Sequence, residues 1–218
     1  MISVLGYYKY WTLLTYIGIV SAVTGISFAN CGSIKYAIIC LMICGACDMF
    51  DGSVAKHAKR TDRERNFGIQ IDSLADVVCF GVFPAIIGYT VCADYMENAL
   101  GKFGIAVTLA VMSIYVLAAL IRLGYFNAIE IELQSKKEKR IYYEGLPVTT
   151  VGLILPVVYS VCSFFGFQLP PVYGVFLIII SVAFLFKVKL PKLKMRYMIC
   201  MCIIGLPFFL YIFFSRGI

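Results

Sequence analysis

Long apolar runs separated by short polar breaks dominate this chain, and within each run the apolar positions are continuous rather than alternating. Runs of about 20 residues match the hydrocarbon width of a bilayer. Lipid offers no partner to a bare backbone, so such segments are helices or the strands of a closed barrel, and barrel strands alternate. The pattern therefore predicts an all-α fold, a polytopic transmembrane bundle of about seven helices over 12–29, 34–56, 66–92, 102–126, 146–165, 172–187 and 196–214. The sixth run is short and ends before Pro191, which leaves six or eight spans open. Residues 1–218 read as a single integral membrane domain.

The breaks alternate in character. Thr61–Asn66, Ala128–Glu144 and Lys187–Arg196 are rich in charge, whereas Asn30–Ser33, Ala93–Gly101 and Gly166–Pro171 are short, polar or acidic. With seven spans and a cytoplasmic N-terminus, every Lys and Arg except Lys35, Lys102 and Arg216 falls on the cytoplasmic side. That asymmetry is the one membrane proteins follow, and an even span count would break it. The net charge of +7 is then a basic collar at the headgroups, and no nucleic-acid partner is expected. Composition agrees, with 61% hydrophobic and 14% charged residues, against about a quarter charged in a soluble domain. No cleavable leader is expected, and Tyr7, Tyr8, Tyr10 and Trp11 suit the headgroup level. The nine cysteines lie almost entirely in apolar runs. Cys44 and Cys47 have C-x-x-C spacing but no second pair or nearby histidine, so reduced, buried thiols are expected rather than zinc or redox chemistry.

Four aspartates break the apolar pattern. Asp48 and Asp51 lie near the end of the second predicted helix, Asp72 and Asp76 near the start of the third. Spacings of three and four put each pair on one helical face, and the short connection makes the two helices antiparallel neighbours. Carboxylates at membrane depth are costly and normally face a cavity with a partner. Four that converge repel one another unless cations lie between them, and hard divalent metals take oxygen ligands. The competing explanation pairs them with the linker's own Lys56, Lys59, Arg60, Arg63 and Arg65. Gly52 and Gly68 flank the pairs where a bulky ligand's close approach favours a missing side chain, although small residues also serve helix packing.

The run Asp48-Met-Phe-Asp51-Gly52-Ser-Val-Ala55-Lys56, followed by Gly68-Ile-Gln-Ile-Asp72-Ser-Leu-Ala-Asp76, resembles the signature of the CDP-alcohol phosphatidyltransferase family. That signature is Asp-x-x-Asp-Gly-x-x-Ala-Arg, a linker, then Gly-x-x-x-Asp-x-x-x-Asp. Lys56 departs from it by standing where the family usually has Arg. The linker His57–Phe67 is longer than usual, which suggests an extra helical turn or a longer loop. Phe67–Ala85, Arg122-Leu-Gly-Tyr-Phe-Asn127 and Tyr142-Tyr-Glu-Gly-Leu-Pro147 resemble the family's serine-accepting branch. The likeness covers about residues 40 to 150, the expected catalytic core is about 34–150, and the N-terminus lacks the Pro-Asn start common in relatives.

The resemblance implies transfer of a phosphatidyl group from CDP-diacylglycerol to the hydroxyl of L-serine, with release of CMP at the cytoplasmic face. It leaves open another alcohol acceptor or an archaeal CDP-diether lipid. It also implies two divalent cations, Mg2+ or Mn2+, held by Asp48, Asp51 and Asp72, with Asp76 as general base and further ligand. Gly52, Ala55, Lys56 and Gly68 are then expected to line the CDP-lipid site, and the family commonly forms homodimers. His57, the one histidine, competes for the role of base from a charged loop.

Zwitterionic serine needs a cation for its carboxylate and an acceptor for its ammonium. Arg122, the one charge between Val107 and Phe126, is the candidate for the carboxylate, with snorkelling to the headgroups as the alternative. Asn127, expected one residue beyond the helix end, and Glu144, expected to open the next helix, are candidates around the ammonium. Two other classes compete. An intramembrane prenyltransferase normally has its acidic motifs in separate halves of a longer chain, and a carboxylate-site ion transporter normally shows repeats or broken midplane helices.

Overall fold

The computed structural model describes residues 6–57, 60–135, 142–187, 189–191 and 195–214. In chain order the elements are α1 (Tyr10–Asn30), α2 (Ile34–His57), α3 (Asp62–Asp76), a π-helical turn (Val77–Val82), α4 (Phe83–Leu100) and α5 (Lys102–Ser135). Then follow β1 (Tyr142–Glu144), a 3-10 turn (Val148–Thr150), α6 (Val151–Phe165), α7 (Leu169–Leu185), β2 (Lys189–Pro191) and α8 (Met195–Phe214). α3, the π turn and α4 form one unbroken rod, so the helices group into the seven rods the apolar pattern predicts. Among the described residues four stretches are long and apolar enough to cross a bilayer: α1, Asp62–Leu100, Lys102–Glu132 and Val148–Phe165. This is an integral membrane protein with a helical-bundle fold.

Helix ends depart from the expected boundaries for local reasons. α3 starts at Asp62 rather than near 66, because Thr61 and Glu64 form a capping box: the Glu64 amide donates to Thr61 Oγ1 at 3.3 Å and the Thr61 amide to Glu64 Oε2 at 2.9 Å. The long linker thus contributes an extra helical turn. α5 continues past Phe126 to Ser135, so Asn127 lies inside the helix and not beyond its end. α6 starts at Val151 rather than 146. Gly145 takes a left-handed φ of 79°, and Pro147 precedes the 3-10 turn. Upstream, Tyr142–Glu144 pairs antiparallel with Lys189–Pro191, placing Glu144 opposite Lys189. Glu144 therefore sits in a short strand and does not open a helix.

The α1–α2 contact is made of small residues. Beyond Trp11, α1 buries Thr15, Gly18, Ala22, Gly25 and Ala29 in one stripe, which lets the backbones approach closely. A Cβ on Gly25 would fall 2.2 Å from Phe83 Cζ and 2.8 Å from Cys40 Cβ. Ser21 donates to the Cys40 carbonyl at 3.0 Å and Cys44 Sγ to the Gly18 carbonyl at 3.3 Å. The thiols of the described residues are free, and all but Cys31 are buried, as expected. α5 packs on α4 and α7 through large buried side chains, Tyr115, Tyr173, Leu177 and Phe83 among them.

The charged segments gather at one end of the bundle. Lys9 pairs with Glu64 at 2.5 Å, β1 pairs with β2, and Asn127 of α5 bonds Ser73 of α3. At the other end Lys35 Nζ donates to the Phe213 carbonyl at 3.0 Å.

Candidate active site

The aspartates occupy two antiparallel rods at the charged end. Asp48 and Asp51 project from α2; Asp72 and Asp76 project from α3, one turn apart. One carboxylate oxygen from each of Asp48, Asp51 and Asp72 lies within 4.8 Å of the others. Asp76 stands outside that trio but lies against Asp48, as Asp51 lies against Asp72. Among the described residues none of the four has an ion-pair partner; the salt bridge seen there joins Lys9 to Glu64. The pairing with Arg60, Arg63 or Arg65 that competed in the sequence is therefore absent among the described residues. Ionised carboxylates only accept hydrogen bonds, so three oxygens this close need protons or cations between them. An all-oxygen set of this kind fits a hard divalent cation.

Thr15 completes the cluster from α1, its Oγ1 donating to Asp51 Oδ2 at 3.1 Å. Thr15 lies before the expected core and outside the aspartate signature. Its signal was a polar residue four positions after Trp11, on the stripe of α1 that faces α2. The bond fixes one Asp51 oxygen and orients the other.

The π turn begins immediately after Asp76. Pro84 has no N–H, and its partner in a regular helix would have been the Phe80 carbonyl. Tyr115 of α5 donates to that carbonyl at 2.5 Å, and Tyr173 of α7 donates to the Pro84 carbonyl at 3.1 Å. Both tyrosines are fully buried. One extra residue in a turn rotates everything beyond it by about 100°. The aspartate face of α3 and the core-packing face of α4 are thereby set independently on one rod.

The remaining expected residues separate clearly. Gly52 is exposed, and a Cβ there would meet nothing within 4 Å. Gly68 is covered: a Cβ would fall 3.2 Å from Arg60 Nη1 and 3.5 Å from Trp11 Cζ3. Ala55, Lys56 and His57 end α2, and Glu144 ends β1; their side chains, and Lys59 altogether, lie outside the described residues. Arg122 is buried and does not snorkel. Its Nε donates to the Leu146 carbonyl at 3.2 Å and its Nη2 to the Gly145 carbonyl at 3.4 Å, with its guanidinium 5.7 Å from the Phe126 ring centre. Asn127 Nδ2 donates to Ser73 Oγ at 2.6 Å, which brings it beside Asp72 on α3.

The CDP-alcohol phosphatidyltransferase family profile matches residues 11–188. The chain belongs to that family. The matched region includes α1 and reaches beyond the 34–150 core, in keeping with the part α1 takes in holding Asp51. Among curated relatives, a CDP-diacylglycerol–serine O-phosphatidyltransferase of Saccharomyces cerevisiae is 34% identical over 139 residues, 62% of this chain and 45% of the relative. One of Helicobacter pylori is 24% identical over 190 residues, 86% of this chain and 73% of the relative. An archaetidylserine synthase of Methanothermobacter thermautotrophicus is 34% identical over 98 residues, 45% of this chain and 38% of the relative. The chain thus spans about half the length of several relatives it matches.

Proposed function

We propose that this protein transfers a phosphatidyl group from CDP-diacylglycerol to the hydroxyl of L-serine, forming phosphatidylserine and releasing CMP. The observation that carries the reading is the convergence of Asp48, Asp51 and Asp72 within a family signature, with Asp76 against Asp48. Relatives that bear this activity in their names support serine as acceptor, and the archaetidylserine synthase among them supports a diether donor as the variant to test.

In this reading Asp48, Asp51 and Asp72 hold two divalent cations, Mg2+ or Mn2+. Bound there, the cations neutralise the diphosphate and the charge that develops on departing CMP. Asp76, one turn deeper than Asp72, accepts the serine hydroxyl proton as the serine oxygen attacks the phosphorus that carries diacylglycerol. Thr15 keeps Asp51 aimed inward. Gly52 leaves open space for the CDP moiety, and Ala55, Lys56 and Gly68 contribute to binding the CDP-lipid. Arg122 receives the serine carboxylate at the corner it holds through Gly145 and Leu146, and Asn127 and Glu144 border the ammonium. The charged end faces the cytoplasm, so CMP and serine exchange with water while acyl chains stay in lipid. Two copies pair in the membrane as family members commonly do.

The deciding experiment is CMP release by purified protein in detergent with CDP-diacylglycerol, serine and Mg2+ or Mn2+. The expected result is stoichiometric CMP and phosphatidylserine, abolished by EDTA and dependent on serine. CMP release with glycerol 3-phosphate or inositol but not serine would move the reading to another acceptor. Turnover of a prenyl diphosphate, or none with any CDP-lipid, would end it.

A further inference from the structure

We propose that Arg60 and Trp11 form a clasp that grips a phosphate of the donor's diphosphate at the mouth of the aspartate site. The inference rests on the transfer reading above and adds two residues to it, both outside the signature.

Two residues there carry donors with no protein acceptor among the described residues, and one stands over the ring of the other. The Trp11 indole N–H is buried, on a residue only 3% exposed, and has no hydrogen-bond acceptor. The Arg60 guanidinium stands over the Trp11 ring at 5.4 Å and has neither an ion pair nor a hydrogen bond among the described residues. A buried donor without an acceptor is costly, and a guanidinium carries five N–H groups whose planar edges suit phosphate oxygens. A position over an aromatic face is favourable for the cation and uses none of its N–H donors.

The clasp is preorganised. Glu64, an anion in the first turn of α3, is committed to Lys9 and to the Thr61 cap and makes no ion pair with Arg60. The same bonds tie the start of α1, which carries Trp11, to the start of α3, which Arg60 precedes by two residues. Tyr7 packs edge-on against Phe67 at 5.1 Å and closes the outer side. Gly68 leaves room for both groups, since a Cβ would press on Arg60 Nη1 and Trp11 Cζ3.

Position relative to the aspartates fixes the ligand class. Trp11 and Thr15 lie one turn apart on α1, and Gly68 and Asp72 one turn apart on α3. Thr15 bonds Asp51, and Asp51 lies beside Asp72. The clasp layer therefore sits one turn outside the carboxylate layer. A diphosphate bound at the carboxylates is long enough to present an oxygen to it.

Trp11 is the chain's single tryptophan, so its emission reports on this site without turnover. The test titrates CDP with Mg2+ into the wild type and into R60K and R60Q, in nanodiscs of neutral lipid. A saturable emission change is expected in the wild type, at least about tenfold weaker apparent affinity in R60Q and an intermediate value in R60K. W11F, followed by calorimetry, is expected to bind CDP about threefold to tenfold more weakly, because it keeps the ring and loses the N–H. In turnover, R60Q raises KM for CDP-diacylglycerol and leaves KM for serine within about twofold. Wild-type affinity in R60Q, or in R60K should R60Q not fold, would overturn the clasp. So would an emission change produced equally by phosphatidylglycerol nanodiscs without CDP, which makes the site one for lipid headgroups. CDP binding through Arg60 without CMP release would keep the clasp and sink the transfer reading; CMP release with R60Q kinetics unchanged would do the reverse.

Discussion

Where α1 meets α2 the surface is built from Gly18, Ala22, Gly25 and Ala29, with Thr15 and Ser21 reaching across to polar partners. Where α5 meets α4 and α7 it is built from Tyr115, Tyr173, Phe83 and Leu177. Both regions are apolar in sequence, yet they solve different problems. Small residues bring backbones close enough for short polar side chains to reach a carboxylate or a carbonyl on the neighbouring helix. Large rings fill volume, and their hydroxyls reach backbone carbonyls, Tyr115 the Phe80 carbonyl that Pro84 has no N–H to serve and Tyr173 the Pro84 carbonyl itself. The first region positions chemistry and the second fixes the frame, and the rod 62–100 belongs to both.

The largest expected break falls on the chemical side alone. Asn in place of Asp48, Asp51, Asp72 or Asp76 should lower CMP release at least about 100-fold, because metal and base contributions are of that order. Melting temperature should hold or rise, since the change relieves crowding among like charges. Near-normal turnover of a folded D48N, D51N or D72N protein in excess metal would contradict the ligand assignment.

Two glycines sharpen the contrast next. Gly25→Ala forces a methyl to within 2.2 Å of Phe83 Cζ, and overpacking of that kind costs about 1–3 kcal/mol of stability. Thermal unfolding should show the loss, and Phe83→Leu in the same chain should recover part of it. Gly52→Ala meets nothing within 4 Å, so its melting temperature should stay put while KM for CDP-diacylglycerol rises. A destabilised G52A with unchanged KM would show that position 52 serves packing instead.

Arg122→Lys tests whether the frame reaches the acceptor. Lysine cannot reproduce the two-pronged hold on Gly145 and Leu146 or a paired contact to a carboxylate, so KM for serine should rise severalfold more than KM for the lipid. Equal shifts in both would mark Arg122 as structural only.

The smallest effect belongs to Thr15→Val, which removes one hydrogen bond to Asp51 and keeps the shape. Hydrogen bonds between membrane helices average about 0.6 kcal/mol, so turnover should fall only about threefold. A larger loss, with a higher requirement for Mg2+, would show that Thr15 orients Asp51 for metal.

The sequence alone determined the membrane class, the seven rods and the two aspartate pairs, because each is a local property. Apolar run length sets a span, and spacings of three and four set a helical face. The start of α3 was equally legible in Thr61 and Glu64, a capping box that a hydropathy reading passes over because it weighs only the apolar side chains. Tertiary structure alone decided what depends on meeting across helices. It paired Thr15 with Asp51 over 36 positions and Asn127 with Ser73 over 54, and it laid Glu144 in a strand against Lys189. It also turned Arg122 inward to two carbonyls and set Trp11 under Arg60. No periodicity along the chain encodes such partners, because a side chain's donor is satisfied by whatever the packed bundle brings within about 3 Å of it.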